Sequence, residues 1–320
     1  MRFSLSGSFG LRWPDFVQAA QVAEELGFYG FYASDHLMMP PGAAPGGAFV
    51  GNEQHDSLTM IAALTGHTAR LRLGTLVLGN LFRNPALVAK MLTGLDHASA
   101  GRVELGLGAN WQERECIAYG FEFPPVGERL RRLREALHII TTLWSGGPGR
   151  FKGTYYCIDE PVFEPKPLQK PHPPIILGGG SKSVLQLAAE YATEWNTTGT
   201  LDAARDKSQQ LDELCRGRGR DPATLSRSKL ISLKLVENRA EAERSAERML
   251  GQGGAVGADG SESPLQQAQS RALIGDPDSL VEQVHRWAAI GLDHLHVFTP
   301  RPMDRPMLER FARDVMPHFA

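Results

Sequence analysis

The alternation of short apolar segments with longer amphipathic ones is the feature of this sequence that most restricts its fold. Eight segments have the length and apolar character of β-strands: residues 2–7, 28–34, 71–79, 102–108, 174–179, 194–198, 229–236 and 292–298. Helical patterns separate them, and the clearest is residues 128–144, where apolar side chains form one stripe opposite several arginines. Strands that alternate with helices favour a parallel sheet in an α/β fold. Eight such units predict a closed (β/α)8 TIM barrel, with an open doubly wound sheet as the competing architecture.

We assign all 320 residues to one barrel domain, because α/β barrels of this size routinely form a single unit. Three stretches interrupt the alternation and are predicted to be insertion loops: residues 37–55, 146–172 and 251–270. The second holds Tyr155 and Tyr156 among glycines and prolines, which indicates a hairpin. The third starts with a glycine-rich segment without apolar periodicity, which indicates a flexible loop.

Charge and cysteine content restrict the classes of partner. The 34 basic and 36 acidic residues give a formal net charge of −2, whereas a nucleic acid or an anionic membrane surface calls for a basic face. Cys116, Cys157 and Cys215 form no CxxC pair, so neither a disulfide framework nor a zinc ribbon is indicated. The N-terminal segment lacks the apolar core of a signal peptide, and no apolar run is long enough to span a bilayer. We expect a cytoplasmic protein that acts on a small molecule; whether it forms a homodimer is left open.

Asp35 and His36 stand at the end of the second predicted strand. Active sites of (β/α)8 barrels lie at the C-terminal ends of the strands, so this pair is a candidate for catalysis. A carboxylate beside an imidazole can hydrogen-bond a heterocycle and move a proton near neutral pH. The alternative is that Asp35 caps the following loop and His36 is an ordinary polar residue.

A glycine-rich segment, Gly106 to Trp111, follows the fourth predicted strand. It resembles the start of a dinucleotide fingerprint, but Trp111 replaces the third glycine and the segment is not at the first strand–helix turn. We therefore interpret Gly106 and Gly108 as positions where a planar ring approaches the backbone. Asn110 tolerates left-handed geometry, and Trp111 either lines a substrate pocket or simply packs.

A triple glycine, Gly178-Gly179-Gly180, joins the fifth predicted strand to a helix that Ser181 opens. Backbone N–H groups at a helix N-terminus, together with the helix dipole, form a general phosphate site. Such a site needs no lysine. The alternative is a tight turn that uses glycine for steric reasons alone.

His294 and His296 share one face of the last predicted strand, two residues apart. This spacing could suggest a metal site, but the sequence offers no third ligand at a suitable spacing, so no metal is predicted. Histidines on strands usually pack or form hydrogen bonds. No GxSxG elbow is present, so the sequence gives serine-hydrolase chemistry no support.

The motifs and their order resemble the bacterial luciferase-like monooxygenase superfamily, and within it the single-component oxidoreductases that use the deazaflavin coenzyme F420. The matching segments are Ser34-Asp35-His36, Leu73 to Val77, Phe82 to Ala86, Gly101 to Gly108, Tyr119-Gly120, Glu128-Arg129, Gly178-Gly179-Gly180 and Trp195-Asn196. The likeness covers nearly the whole chain and is strongest from residue 28 to about residue 198.

The resemblance implies a cofactor site at the C-terminal strand ends. Its implied residues are Asp35, His36, Thr75, Leu76, Val77, Gly108, Asn110, Gly178, Gly179 and Gly180. Within this set, Leu76 and Val77 are implied to be joined by a cis peptide bond that supports the ring. Thr75 and Asn110 are implied to contact the ring or the ribityl chain, and Gly178 and Gly179 to take the phosphate. Two departures exist. Sugar-phosphate oxidising members have a catalytic glutamate near the position of Trp111, so the resemblance does not imply that substrate. The family's usual Ala-Asp before strand six appears here as Ala192-Thr193.

These observations lead to one functional expectation with two alternatives. We expect hydride transfer between coenzyme F420 and a small organic substrate, with His36 and Asp35 handling the accompanying proton and Trp111 lining the substrate pocket. The first alternative is an FMN-dependent monooxygenase on the same barrel, because both cofactors share a ring, a ribityl chain and a phosphate. The second is a protein that binds a flavin or deazaflavin without turnover.

Overall fold

A computed structural model describes residues 1–7, 11–38, 53–147, 149–251, 263–298 and 303–320. Its strands are β1 (Arg2–Gly7), β2 (Gly30–Ala33), β3 (Arg72–Thr75), β4 (Leu78–Gly79), β5 (Val103–Gly108), β6 (Arg150–Lys152), β7 (Cys157–Asp159), β8 (Ile175–Gly178), β9 (Glu194–Thr197), β10 (Ser226–Leu235), β11 (Leu273–Gly275) and β12 (His294–Phe298). Its α-helices are α1 (Trp13–Glu25), α2 (Ser57–Leu64), α3 (Pro85–Ala98), α4 (Glu113–Ala118), α5 (Val126–Ser145), α6 (Lys182–Tyr191), α7 (Leu201–Gly217), α8 (Arg239–Gly251), α9 (Pro264–Gln269), α10 (Pro277–Ala289) and α11 (Arg305–Asp314).

The central strands form a closed ring of parallel neighbours. The order is β1, β2, β3, β5, β8, β9, β10 and β12, and β12 pairs again with β1. The pairing of β10 with both β9 and β12 completes the closure. This arrangement confirms the predicted (β/α)8 barrel and excludes the open sheet. The C-terminal strand ends, and the loops that follow them, therefore share one rim of the barrel.

The helices cover the outside of the ring because each presents an apolar stripe to the strands. In α5, Leu133, Leu137, Ile140 and Leu143 are buried, as the sequence pattern predicts. Local signals set the helix ends: the Asn84 side chain caps α3 in front of Pro85, and Gly146 ends α5 in the left-handed conformation.

The barrel interior has a polar layer near the N-terminal strand ends and an apolar layer above it. Glu194 lies at the centre of the polar layer: His294 Nδ1 is 2.9 Å and His296 Nε2 is 3.0 Å from its carboxylate oxygens. Arg2 also donates to Glu194, at 3.2 Å. The apolar layer above consists of Tyr32, Leu76 and Ile176, with Val77 and Leu230 packed against them.

The insertions only partly follow the predictions. In residues 146–172, β6 and β7 form an antiparallel hairpin, as expected. Residues 39–52, most of the first predicted loop, lie outside the described residues. In the third, Gly251 ends α8 and residues 252–262 lie outside the described residues. Pro264–Gln269 forms α9 with a capping box at Ser263, so the loop prediction is wrong there.

The segment predicted as one strand at residues 71–79 is divided. β3 ends at Thr75 and β4 begins at Leu78, with the cis peptide bond Leu76–Val77 between them. β11, which the sequence pattern did not reveal, pairs with the last three residues of β10. Within the described ranges, no helix is both long enough and apolar enough to cross a membrane.

Candidate active site

Three sequence-predicted segments meet on the C-terminal rim. The Asp35 carboxylate accepts the backbone N–H of Gly79 at 2.9 Å, which joins the end of β2 to β4. Val77, the second residue of the cis peptide, packs against glycines of the next two strands. A Cβ added to Gly108 would lie 2.7 Å from Val77 Cγ2, and one added to Gly178 would lie 3.3 Å from Val77 Cγ1. The Asp35 loop, the Leu76–Val77 peptide and the triple-glycine turn are therefore neighbours.

Asp35 is buried and its two carboxylate oxygens accept four hydrogen bonds. Ser57 Oγ donates to Oδ1 at 2.7 Å, and Arg83 donates to both oxygens at 2.7 and 3.1 Å, in addition to the Gly79 bond. Among the described residues, these bonds do not include the His36 ring. The hydrogen bonds described for Asp35 therefore do not support the expected cooperation with His36 in proton movement; they anchor β2, α2 and β4 to one another.

Glu115, a residue that the sequence reasoning missed, is a hydrogen-bond partner of the His36 ring. His36 Nδ1 lies 3.0 and 3.2 Å from the two carboxylate oxygens of Glu115, which is buried on α4. Trp111 contacts the same ring edge-on, with ring centroids 5.4 Å apart, and is 65% exposed. Glu115 lies on the short helix α4, 79 residues from His36, and no pattern in the sequence marked it.

Thr75 and the glycines of β5 form a close contact between strands rather than an open surface. The Thr75 hydroxyl donates to the Gly106 carbonyl at 2.7 Å and accepts the Gly106 N–H at 3.2 Å. Thr75 therefore has only an acceptor to offer a cofactor. Val77 occupies the space that a Cβ on Gly108 would need, so the close approach to this glycine within the described residues is that of Val77, and the approach of a ring stays a prediction. Asn110 is left-handed, with φ of 55°, as anticipated, and its Oδ1 accepts the Leu81 N–H.

The triple-glycine turn stands at a helix N-terminus, although the Gly179 N–H already donates to the Asn196 carbonyl at 3.1 Å. It leads into α6, a ten-residue helix that Ser181 caps, and Gly179 has a φ of 123°, which favours glycine. Lys207 Nζ donates to the Gly180 carbonyl at 2.5 Å. A lysine therefore contacts the turn, which the sequence did not predict. A helix N-terminus together with an ammonium group fits a phosphate. The apolar layer of Tyr32, Leu76, Ile176 and Val77 fits a planar ring.

Thr193 replaces the acidic residue expected before β9. Its hydroxyl accepts the Ile175 N–H at 2.8 Å and lies 3.0 Å from the Ile175 carbonyl, to which it donates. This local pairing keeps β8 and β9 in register without a carboxylate.

Glu194 is the third potential metal ligand beside His294 and His296, which the sequence analysis did not find. The ligand-type atoms of Glu194, His294 and His296 lie within 4.8 Å of one another, and all three residues are buried. Arg2 also donates to the carboxylate and Ser4 Oγ is 2.7 Å from His294 Nε2, whereas the buried Nδ1 of His296 has no hydrogen-bond partner among the described residues. Burial lowers the pKa of His296 to about 4. Although burial alone raises the pKa of Glu194, the histidines hold it well below its usual range.

A cationic cavity of about 610 Å³ opens on the same rim, beyond the end of β9. Its lining residues are Gly199, Thr200, Ala203, Lys229, Leu230, Ser232 and Arg271. Lys229 Nζ donates to the Gly199 carbonyl at 2.7 Å and lies over the Trp287 ring. Burial, and secondarily the charge of Arg271, lowers the pKa of Lys229 to about 8. Lys229 is only 2% exposed, whereas Arg271 is exposed, so an anionic group in this cavity would meet chiefly the Arg271 guanidinium.

The relatives found by comparison with known proteins differ in the cofactor that their names give. An F420-dependent glucose-6-phosphate dehydrogenase of Microbacterium testaceum is 30% identical over 92% of this chain and 90% of its own length. An FMNH(2)-dependent dimethylsulfone monooxygenase of Pseudomonas putida is 29% identical, over 61% of this chain and 51% of its own. Among solved structures, an F420-dependent secondary alcohol dehydrogenase with an F420-acetone adduct superposes over 100% of this chain and 99% of its own, with a TM-score of 0.81 and 20% identity.

The family comparison covers nearly all of the barrel strands. The model of the luciferase-like monooxygenase family matches residues 2–294, which is most of the sequence. This chain therefore belongs to the luciferase-like monooxygenase family.

Proposed function

We propose that this protein is an oxidoreductase that holds coenzyme F420 on the C-terminal rim and transfers a hydride between it and a small organic substrate. The observation that carries the proposal is the packing of Val77 against Gly108 and Gly178, which supports an apolar ring site beside a glycine turn that would hold the phosphate. The 30% identity to an F420-dependent dehydrogenase over nearly the whole chain supports the same cofactor.

Different residues would bind the cofactor and move the proton. Gly178, Gly179, Gly180 and Lys207 would hold the phosphate, while Leu76 and Val77 would support the ring. Thr75 and Asn110 stand where the ring or ribityl chain would pass. When bound, F420 accepts or donates a hydride in a two-electron step. His36 would take up or release the accompanying proton, and Trp111 would cover the reacting region and limit the access of water.

The cationic cavity favours a substrate that carries an anionic group. Lys229 and Arg271 line it, and its volume suits a small molecule rather than a polymer. A matched pair of probes tests this: glucose 6-phosphate against glucose, with propan-2-ol as a neutral secondary alcohol. Preference for the phosphorylated probe, lost in Arg271→Gln, is expected. Equal use of both sugars would remove the cavity from substrate recognition.

FMN is the second candidate cofactor because an FMNH(2)-dependent monooxygenase is also a relative. Titration of the purified protein with F420 and, separately, with FMN decides between them by calorimetry. We expect micromolar or tighter binding of F420. Tight binding of FMN without affinity for F420 would replace the proposal with monooxygenase chemistry.

Turnover separates an enzyme from a protein that only binds the cofactor. An oxidoreductase changes the absorbance of bound F420 when substrate is added, whereas a non-catalytic binding protein does not. His36→Ala should lower the rate by about tenfold or more if His36 handles the proton. An unchanged rate would remove His36 from the reaction.

A single domain over residues 1–320 and a cytoplasmic location stay predictions. Cys116 and Cys215 are buried free thiols and Cys157 is an exposed one, which is consistent with a reducing compartment.

A further inference from the structure

We propose that Glu115 is a positioning residue that keeps the proton of the His36 imidazole on Nδ1, so that Nε2 is the proton acceptor of the neutral ring. The inference deepens the proposed function and rests on it only where turnover is concerned. The protonation pattern itself belongs to the resting protein and can be measured without a cofactor.

The contacts of Glu115 determine which ring nitrogen carries hydrogen. Its carboxylate oxygens lie 3.0 and 3.2 Å from His36 Nδ1, and Oε2 also accepts the Leu37 backbone N–H at 3.0 Å. A carboxylate offers only acceptors, so the nitrogen that faces it has to donate. In a neutral imidazole the other nitrogen, Nε2, then carries the lone pair.

The role at the ring can be separated from a role in holding the loop. Besides Glu115, two other side chains of this region bind the backbone after His36: Tyr119 Oη donates to the Leu37 carbonyl at 3.0 Å, and Gln112 Nε2 donates to the Met38 carbonyl at 3.1 Å. Tyr119→Phe therefore removes one loop contact without changing the group that faces the ring.

In Glu115→Gln we expect the opposite tautomer of the His36 ring. The Leu37 N–H needs an acceptor, which keeps the amide oxygen of the glutamine at the Oε2 position. The amide nitrogen then occupies the Oε1 position, 3.0 Å from His36 Nδ1, and donates to it. The nearly isosteric change should therefore move the ring hydrogen from Nδ1 to Nε2.

The test is the 15N NMR signature of the His36 ring in the full-length protein at a pH where the ring is neutral, with the signal identified by its loss in His36→Gln. We expect the Nδ1–H form in the wild type, in Tyr119→Phe and in the exposed neighbour variant Glu113→Gln. We expect the Nε2–H form in Glu115→Gln. The Nε2–H form in the wild type, or no change in Glu115→Gln, would overturn the inference.

Turnover gives a second, distinguishable readout. If Nε2 is the acceptor in the reaction, Glu115→Gln should lower kcat by about 100-fold, the lower end of what proton transfer contributes, with little change in KM. Tyr119→Phe should keep kcat within about threefold, since no proton-transfer group is altered. A changed tautomer with unchanged kcat would overturn the catalytic part and remove His36 from the proposed proton step. A tautomer result against the inference would leave cofactor binding and hydride transfer unaffected.

Discussion

Arg83 and Asp35 form a two-point ion pair at the end of β2, with Nη1 2.7 Å from Oδ2 and Nη2 3.1 Å from Oδ1. Both side chains are largely buried, and Arg83 also pairs with Asp56 at the start of α2. The pair therefore connects β2, α2 and the loop after β4. Asp35 was a catalytic candidate because it precedes His36 in the sequence. Its contacts indicate instead that it holds the segments of the rim together.

Asp35→Asn should destabilise the fold. The change removes one charge of a buried pair and leaves Arg83 partly uncompensated, at a cost of about 3 kcal/mol in the free energy of unfolding. Urea denaturation measures it. Asp15→Asn is the matched control, because its pair with Arg12 is exposed and worth about 1 kcal/mol or less. A stable Asp35→Asn protein that has lost turnover would instead assign Asp35 a part in the chemistry.

Gly108→Ala should disturb the support formed by Val77. The new Cβ would lie 2.7 Å from Val77 Cγ2, and overpacking of this kind costs about 1–3 kcal/mol. In the double variant with Val77→Ala the clash is absent, so the two changes should be less destabilising together than their sum. Urea denaturation and F420 titration of the single and double variants measure both effects.

Gly106→Ala, alone and combined with Val77→Ala, is the control for the Gly108 experiment. Its new Cβ would lie 1.9 Å from the backbone carbonyl oxygen of Thr75. Truncation of Val77 cannot relieve a clash with backbone, so no rescue is expected. Strictly additive effects at Gly108 and Val77 would show that the side chain of Val77 does not fill this space.

The barrel could be predicted because each strand and helix shows its own local pattern. Apolar runs, helix periodicity, and the residues at helix ends act over a few positions, and their repetition fixes the topology. The cis peptide was accessible only through family resemblance, because nothing local to Leu76 and Val77 distinguishes them from other apolar strand residues.

The partners of the site residues could not be predicted, because the closed ring decides which side chains face each other. Glu194 and His294 are 100 residues apart in the sequence, and Glu115 is 79 residues from His36. A lone glutamate on a short helix gives no signal of its own. Lys207 on α7 reaches Gly180 only because α6 and α7 pack together, which is why the turn was expected to have no lysine.

Lys207→Met should weaken cofactor binding by about tenfold, because a charged hydrogen-bonding group near a phosphate is worth at least about 1.5 kcal/mol. Titration with FMN and with F420 at two salt concentrations measures the change, and the variant should show the weaker salt dependence. Lys234→Met, an exposed lysine on β10, should leave both affinities unchanged. Equal losses in the two variants would point to net charge rather than to the glycine turn.

The polar layer under the site should make the stability of the fold depend on pH. Burial lowers the pKa of His296 to about 4, against 6.5 for an exposed histidine. Between these values the unfolded chain binds a proton that the folded protein does not, so acidification favours unfolding. The lowered pKa of Glu194 acts in the same direction at more acidic pH, since protonation of its carboxylate is also easier in the unfolded chain.

The free energy of unfolding should therefore fall by on the order of 3 kcal/mol as the pH drops from 6.5 to about 4 on account of His296 alone. Urea denaturation at steps across this interval measures the slope. His296→Gln keeps a donor for Glu194 but cannot take up the proton, so its stability should be lower at neutral pH and should vary less with acidification. His318→Gln, which alters an exposed histidine, should follow the wild-type slope. An identical slope in His296→Gln and the wild type would mean that His296 is not the group whose protonation drives the acid sensitivity.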